Sequence, residues 1–271
     1  MAVPFDHIAL TLDSVFSRSA IGQLQRKHVW TYIESIIPQL TGLEMLELDS
    51  GTGEDALMFS DKGFNLIATD VSAETYKLTE KAEKFSLRSK VTQQYVDLNS
   101  FNELLFDKKF DLIFSNFGGL NGISPDTLHK LLERLPSLLN PNGRFIAVVM
   151  PRFCLWETVY YSLKFKFGKA FRRWTSDEVM SDGYGAVSRM WYYKPSQIRK
   201  MVKEHFNVVN TKPVGLALPP LYLDSFFLRK KKLLMGLHKL EKMVNRNSFY
   251  SGCSDHFIID LQLKPDYSVL S

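Results

Sequence analysis

Acidic side chains close successive apolar runs in the first half of this chain. Glu47 lies inside Met45-Leu46-Glu47-Leu48, which stops at Asp49-Ser50-Gly51-Thr52-Gly53. Asp70 ends the run Phe64–Thr69, and Asp97 follows Val91–Val96. Carboxylates placed this way can accept hydrogen bonds from the hydroxyl and amino groups of a nucleotide. The glycines let the backbone turn tightly and let a ligand come close. The same turn satisfies Gly51-x-Gly53-x-x-Ala56, with Asp70 seventeen residues beyond Gly53. That is a loose dinucleotide fingerprint, so a hydride-transferring NAD(P) enzyme is one reading. Three features favour a different nucleotide. Glu47 stands within the run before the turn, Asp97 stands where a nucleobase would reach, and about 40 residues of helical character precede the first strand.

The elements that must position these groups follow from periodicity. Residues 5–37 have apolar side chains at helical spacing, and Pro38 ends that pattern. Short strands are predicted at 45–48, 64–69, 91–96, 110–115 and 144–150. Helices are predicted at 54–62, at 73–88 with Ser72 as N-cap, and at 125–138 with Pro125 in the first turn. Asn140–Gly143 reads as a turn. Strand and helix alternate with short connections, which implies a parallel sheet covered by helices, a three-layer, doubly wound α/β fold. Ligands bind beyond the C-terminal strand ends of such a sheet. Past Met150 the rhythm changes. Residues 152–193 are aromatic and basic, and a helix is expected from Pro195 to about His205. A strand is expected at 206–218, a long amphipathic helix near 224–245 and a last strand at 256–264. No repeat or linker marks a second domain. One domain is expected over 1–271, with an N-terminal helical closure at 1–40, a core at 41–150 and lid insertions at 151–193 and 219–254.

These residues resemble the class I S-adenosylmethionine-dependent methyltransferases. The family reads acid-x-Gly-x-Gly-x-Gly after the first strand, and Glu47 through Gly53 follow it, including Ser50 and Gly51. Asp70 matches the acid that holds the ribose hydroxyls, and Asp97 matches the group that meets the adenine amine. Phe110-Asp111-Leu112-Ile113 and Leu139-Asn140-Pro141-Asn142-Gly143 match the fourth strand and the turn before the fifth. Phe5-Asp6-x-Ile8-Ala9 and Leu12-Asp13 look like the family's N-terminal closing helix. The resemblance implies S-adenosylmethionine as cofactor. It places Val71 and Leu98 on either side of the adenine, and Asn116 and Phe117 beside the methionine and methyl groups. Gln25 and Arg26 are candidates for the cofactor carboxylate. One position departs from the pattern, because Asp49 stands where the first glycine is usual. Asp tolerates a left-handed backbone, so the turn is expected to survive. Its carboxylate would lie near the sulfonium or would satisfy local N–H groups.

The family's sixth strand runs parallel to the first five and its seventh runs back, which would bring both insertions over the ligand edge. Trp156, Tyr160 and Tyr184 are then candidates to line an apolar acceptor pocket. His256 would begin the last strand at that edge and is the leading general base, with Asp255 or Glu157 to orient it. The expected reaction is methyl transfer to an oxygen or nitrogen of a small, partly apolar acceptor. A catalytically silent domain that binds a partner through its basic surface is a further alternative.

Composition bounds these readings. The chain has 271 residues with 45% hydrophobic and 23% charged side chains, typical of a globular protein. Cys154 and Cys253 are too few for a disulfide framework and lack metal-ligand spacing, and no metal is expected. No apolar run approaches the ~20 residues needed to cross a bilayer, and the N-terminus lacks a signal-peptide pattern, so a cytoplasmic location is expected. The net charge of +5 is regional. Residues 152–173 carry net +5 and residues 229–246 carry net +6, leaving −6 elsewhere. Such segments suit a solvated face, an acidic acceptor or an anionic membrane surface. Nucleic acid is disfavoured, because no dedicated nucleic-acid module is present. The oligomeric state is not legible.

Overall fold

The computed structural model describes residues 16–37, 42–71, 91–99, 106–183 and 186–265. The expected N-terminal closing motif at 5–13, the helix at 73–88 and Tyr184 lie outside the described residues. Nine strands are described: β1 Glu44–Leu48, β2 Asn65–Asp70, β3 Val91–Tyr95, β4 Phe110–Ser115, β5 Leu139–Val149, β6 Val179–Gly183, β7 Ala186–Met190, β8 Phe206–Val214 and β9 His256–Leu263. Seven of them form one sheet in the order β3-β2-β1-β4-β5-β9-β8. Strands β1 to β5 pair in parallel, while β9 runs antiparallel to both β5 and β8. The expected relation holds: β8 runs with the first five strands and β9 runs back.

Alternation of side chains sets the layers, because successive residues of a strand point to opposite faces. Leu46, Leu48, Ile113, Phe145, Ala147 and Val149 share one face with Leu128, Leu131 and Leu135 of the helix Pro125–Leu138. Met45, Leu112, Phe114, Ile146 and Val148 share the other with Val29 and Ile33 of α1 (Ala20–Ile36) and Phe59 of α2 (Glu54–Asp61). The helix Pro125–Leu138 is α3. The Ser124 hydroxyl accepts from Thr127 N at 3.2 Å, and Ser19 caps α1 in the same way. A buried polar contact also fixes α1. The Tyr32 hydroxyl donates to Asp260 Oδ2 in β9 at 2.5 Å, and Arg144 of β5 pairs with the same oxygen at 3.2 Å.

Several boundaries differ from expectation. β5 begins at Leu139, which pairs with Phe110, and the expected turn at 140–143 stays as an irregularity within the strand, with Asn142 at φ 64° and pairing resumed at Arg144. β8 ends at Val214, because Gly215 takes a left-handed φ of 72°. The insertion after β5 forms α4 (Leu155–Leu163), α5 (Phe167–Ala170) and the hairpin β6–β7, which the sequence pattern did not signal. After α6 (Pro195–Met201), the expected long helix at 224–245 is two: α7 (Asp224–Leu228) and α8 (Lys231–Val244). Part of its expected apolar stripe is therefore inward. Phe227 and Leu234 are buried, whereas Phe226, Leu233 and Leu240 are exposed.

Candidate active site

The glycine turn survives with its unusual first residue. Asp49 has φ 57°, and Gly51 and Gly53 follow at 54° and 75°. Gly53 caps α2, whose first turn carries Glu54 and Asp55 beside the positive end of the helix. A side chain at position 119 would collide with the Asp49 carboxylate, so Asp49 faces the Gly118-Gly119 turn after β4. Two glycine-rich turns thus fit together through this acid.

Asp70 ends β2 beside the turn, and its Oδ2 accepts from Gly51 N at 2.7 Å. A carboxylate has about four acceptor positions, so this bond leaves capacity for ribose hydroxyls. Asp97 is half-buried beyond β3, where its Oδ1 accepts from Asn99 N at 2.8 Å. Ser50 is buried, and its N donates to Thr69 O at 2.9 Å. Glu47 is buried within β1. Val71 is half-buried just past Asp70, but Leu98 belongs to the core under the sheet. The donors and acceptors gathered beyond β1, β2 and β3 suit a nucleoside.

Asn116 makes local contacts just beyond β4. Its Nδ2 donates to Asp55 Oδ2 at 2.9 Å, and its Oδ1 accepts from Phe117 N at 3.0 Å. This shapes the turn in which Phe117 adopts φ 26°. Arg26 and Trp30 of α1 donate to the same Asp55, at 3.0 Å and 2.5 Å. Arg26 therefore binds the first turn of α2, and its guanidinium lies 5.6 Å and 5.8 Å from the ring centres of Phe16 and Phe117. Gln25 turns elsewhere. Its Nε2 donates to Pro219 O at 3.3 Å and to Asp255 Oδ2 at 3.5 Å. Both residues are buried, and both hold elements together.

His256 begins β9 opposite Val214, the last residue of β8. Antiparallel pairing puts it at the same edge as Asp49, Asp70 and Asn116. Its ring meets Phe117 edge to face at 5.1 Å, and Phe117 meets Phe16 at 4.3 Å. Its Nδ1 lies 3.4 Å from Asp255 Oδ2. Arg173 clamps Asp255, donating from Nη2 to Oδ1 at 2.9 Å and from Nη1 to the backbone oxygen at 3.0 Å. Burial would raise the Asp255 carboxyl, but His256 and Arg173 together hold it well below the usual carboxylate range.

Glu157 does not reach His256. It accepts from Arg173 Nε at 2.9 Å and from both Nε and Nη2 of Arg172. It acts on the histidine at one remove, by fixing Arg173. Trp156 and Tyr160 are only partly buried. They pack with Ile21, Leu218, Leu223, Phe227 and Leu234 in a core between α1, α4 and α8. The Trp156 indole donates to Leu216 O at 3.0 Å.

Three features escaped sequence reasoning. Arg172 and Arg173 read as surface charge, yet Arg173 is buried. Asp55, in the first turn of the helix predicted at 54–62, accepts from Arg26, Trp30 and Asn116, which no local pattern signals. Glu241, which looked like one acid in a basic helix, accepts from the backbone N–H groups of Gly215, Leu216, Ala217 and Leu218 at 2.6–3.3 Å. An unbalanced acid on the apolar side of a helix was the one signal available for it.

The comparisons with known proteins agree with this geometry. Residues 45–143 match the family model described as a methyltransferase domain. That stretch takes in the glycine turn, Asp70 and Asp97. A demethylmenaquinone methyltransferase of Paenarthrobacter aurescens (strain TC1) is 26% identical over 163 residues. That alignment takes in 59% of this chain and 59% of the relative, so the chain spans under two thirds of the relative's length. A magnesium protoporphyrin IX methyltransferase from Synechocystis PCC 6803, solved with bound S-adenosylhomocysteine, superposes at TM-score 0.57 with 15% identity. It covers 90% of this chain and 84% of its own. An S-adenosylmethionine-dependent methyltransferase from Mesorhizobium loti superposes at 0.53 with 14% identity, covering 86% and 96%. At these identities the structures speak for the fold. The strand order also departs from the dinucleotide alternative. The ordinary dinucleotide order is 3-2-1-4-5-6, with no antiparallel strand inserted beside the fifth.

Proposed function

We propose that this protein transfers a methyl group from S-adenosylmethionine to an oxygen or nitrogen of a small, partly apolar acceptor. The observation that carries the reading is one shared edge. The Asp70–Gly51 contact supports a nucleoside position beyond β2, and His256 stands at the same edge beyond β5 and β8. When bound, the cofactor supplies a methyl carbon already activated by its sulfonium.

Asp70 would hold the ribose, Asp97 and Val71 would meet the adenine, and the turn Asp49–Gly53 would admit the amino-acid end. Phe117 and Phe16 give an apolar wall beside His256. The carboxylate at Nδ1 favours the tautomer with its proton on that nitrogen, leaving the Nε2 lone pair to take a proton from the acceptor. Position supplies much of the rate, since transfer needs the acceptor atom in line with the carbon. A relative named for methylating a demethylmenaquinone supports a ring-bearing acceptor of apolar character.

Calorimetric titration with S-adenosylmethionine, S-adenosylhomocysteine and NADPH in parallel tests the reading. Heat with the first two and none with NADPH is expected. Absence of heat and of any thermal shift at millimolar S-adenosylmethionine would overturn it, and binding of NADPH alone would favour the reductase.

A further inference from the structure

The segment Leu163-Lys-Phe-Lys-Phe-Gly-Lys-Ala-Phe-Arg-Arg-Trp174 contains no acidic residue and alternates apolar with basic side chains. It joins α4 to the stretch after α5, in the insertion that follows β5. Its large apolar members point outward, while Ala170 is buried. Phe165 is 83% exposed and Leu163 76%, and Phe167, Phe171 and Trp174 are exposed as well. Lys164, Lys166 and Lys169 are exposed among them. Large apolar side chains normally leave water, and a contiguous exposed set marks a contact surface.

The backbone sharpens the point. Phe165 has φ 55°, a left-handed conformation that costs a bulky residue energy and that glycine normally takes at a helix end. The turn is nonetheless built: Phe165 N donates to Ser162 O and Lys166 N donates to Tyr161 O, both at 2.9 Å. Helix α4 therefore ends in a strained turn that carries an aromatic ring into solvent. Packing among the described residues does not account for that choice.

We infer that residues 163–174 dock on an anionic lipid bilayer, with Leu163, Phe165 and Phe167 entering the interface and Lys164, Lys166 and Lys169 meeting lipid headgroups. Aromatic rings beside lysines match the chemistry of that boundary, apolar below and negatively charged at the surface. No described helix is long and apolar enough to cross a membrane, so the contact is peripheral. Each lysine adds about fivefold in affinity for an anionic surface. Because the segment leaves the sheet at the edge that carries His256, docking would hold the acceptor side against the bilayer. The inference does not depend on methyl transfer, since vesicle binding is read without cofactor or acceptor.

Sedimentation with vesicles tests it on the full chain. Wild type should pellet with phosphatidylcholine–phosphatidylglycerol vesicles, remain in solution with phosphatidylcholine alone, and be released by salt. Phe165→Gly should weaken binding at least about tenfold while its melting temperature stays equal or rises, because glycine relieves the left-handed turn. Lys164→Glu with Lys166→Glu should abolish binding to the mixed vesicles. Failure of wild type to pellet, equal binding to neutral vesicles, or full affinity in Phe165→Gly would overturn the inference. So would a dimer in light scattering that Phe165→Gly dissolves while vesicle binding persists, since a second copy would then be the occupant.

Discussion

Nδ1 of His256 lies 3.4 Å from Oδ2 of Asp255, at the edge of the sheet where the glycine turn ends. The two residues are neighbours in sequence, and Arg173 holds the other oxygen of the Asp255 carboxylate. His256→Ala should lower kcat by about 10²–10⁴, the usual range for a positioned base. The S-adenosylhomocysteine affinity should stay within about twofold. Stopped-time assays with labelled methyl donor, beside calorimetry, check both halves.

Asp70 makes a separable prediction. Asp70→Ala removes the acceptor for Gly51 N–H and for the proposed ribose hydroxyls. Hydrogen bonds to charged groups contribute about 1.5–3 kcal/mol, so cofactor affinity should fall by about 10- to 100-fold. Titration calorimetry measures this directly. An unchanged Kd would remove Asp70 from the cofactor site.

Arg173 joins Glu157 to Asp255, and all three are buried. Arg173→Met would leave two carboxylates short of a partner in a poorly solvated place. Breaking a buried ion pair from one side costs about 3–5 kcal/mol. Urea unfolding should show a loss of that size, and Glu157→Gln with Arg173→Met should recover part of it.

The contact between α1 and α8 should respond to acid. His28 Nε2 faces His238 Nδ1 at 3.1 Å. Burial, His238, Lys242 and Lys27 lower the His28 pKa to about 4, and burial lowers that of His238 too. The unfolded chain has the ordinary value near 6.5 and binds more protons between about pH 4 and 6.5. Stability from His28 is therefore complete above about pH 6.5 and falls as the pH drops toward 4. The loss should reach about 2 kcal/mol after allowance for its partial exposure. Denaturation midpoints across this range, compared with His28→Gln, check the sign: the variant should show the flatter profile.

The cofactor half of the site was legible because its parts are local. The turn Asp49–Gly53 is a short stretch whose residue types already limit φ, and Asp49 adopts the left-handed backbone its chemistry tolerates. The ends of β2 and β4 were readable from apolar runs that stop at Asp70 and Asn116. Strand lengths failed where a neighbour intervened: β5 was drawn back to Leu139 by pairing with Phe110 of β4, which no local pattern encodes.

The acceptor half was read in outline only. Sequence placed His256 at the ligand edge and named Asp255 or Glu157 as its partner. Tertiary structure put Asp255 Oδ2 3.4 Å from His256 Nδ1 and set Glu157 behind Arg173. It also placed Arg26 on Asp55, and Glu241 on the N–H groups of 215–218. These partners lie far apart along the chain or in elements whose relative placement is set by packing. By itself the sequence determined the parallel core and its glycine turn, because strand period and backbone preference act over a few residues. Only the tertiary structure decided which buried charges meet, because an acid and an arginine leave water together only where the fold brings them within hydrogen-bonding distance.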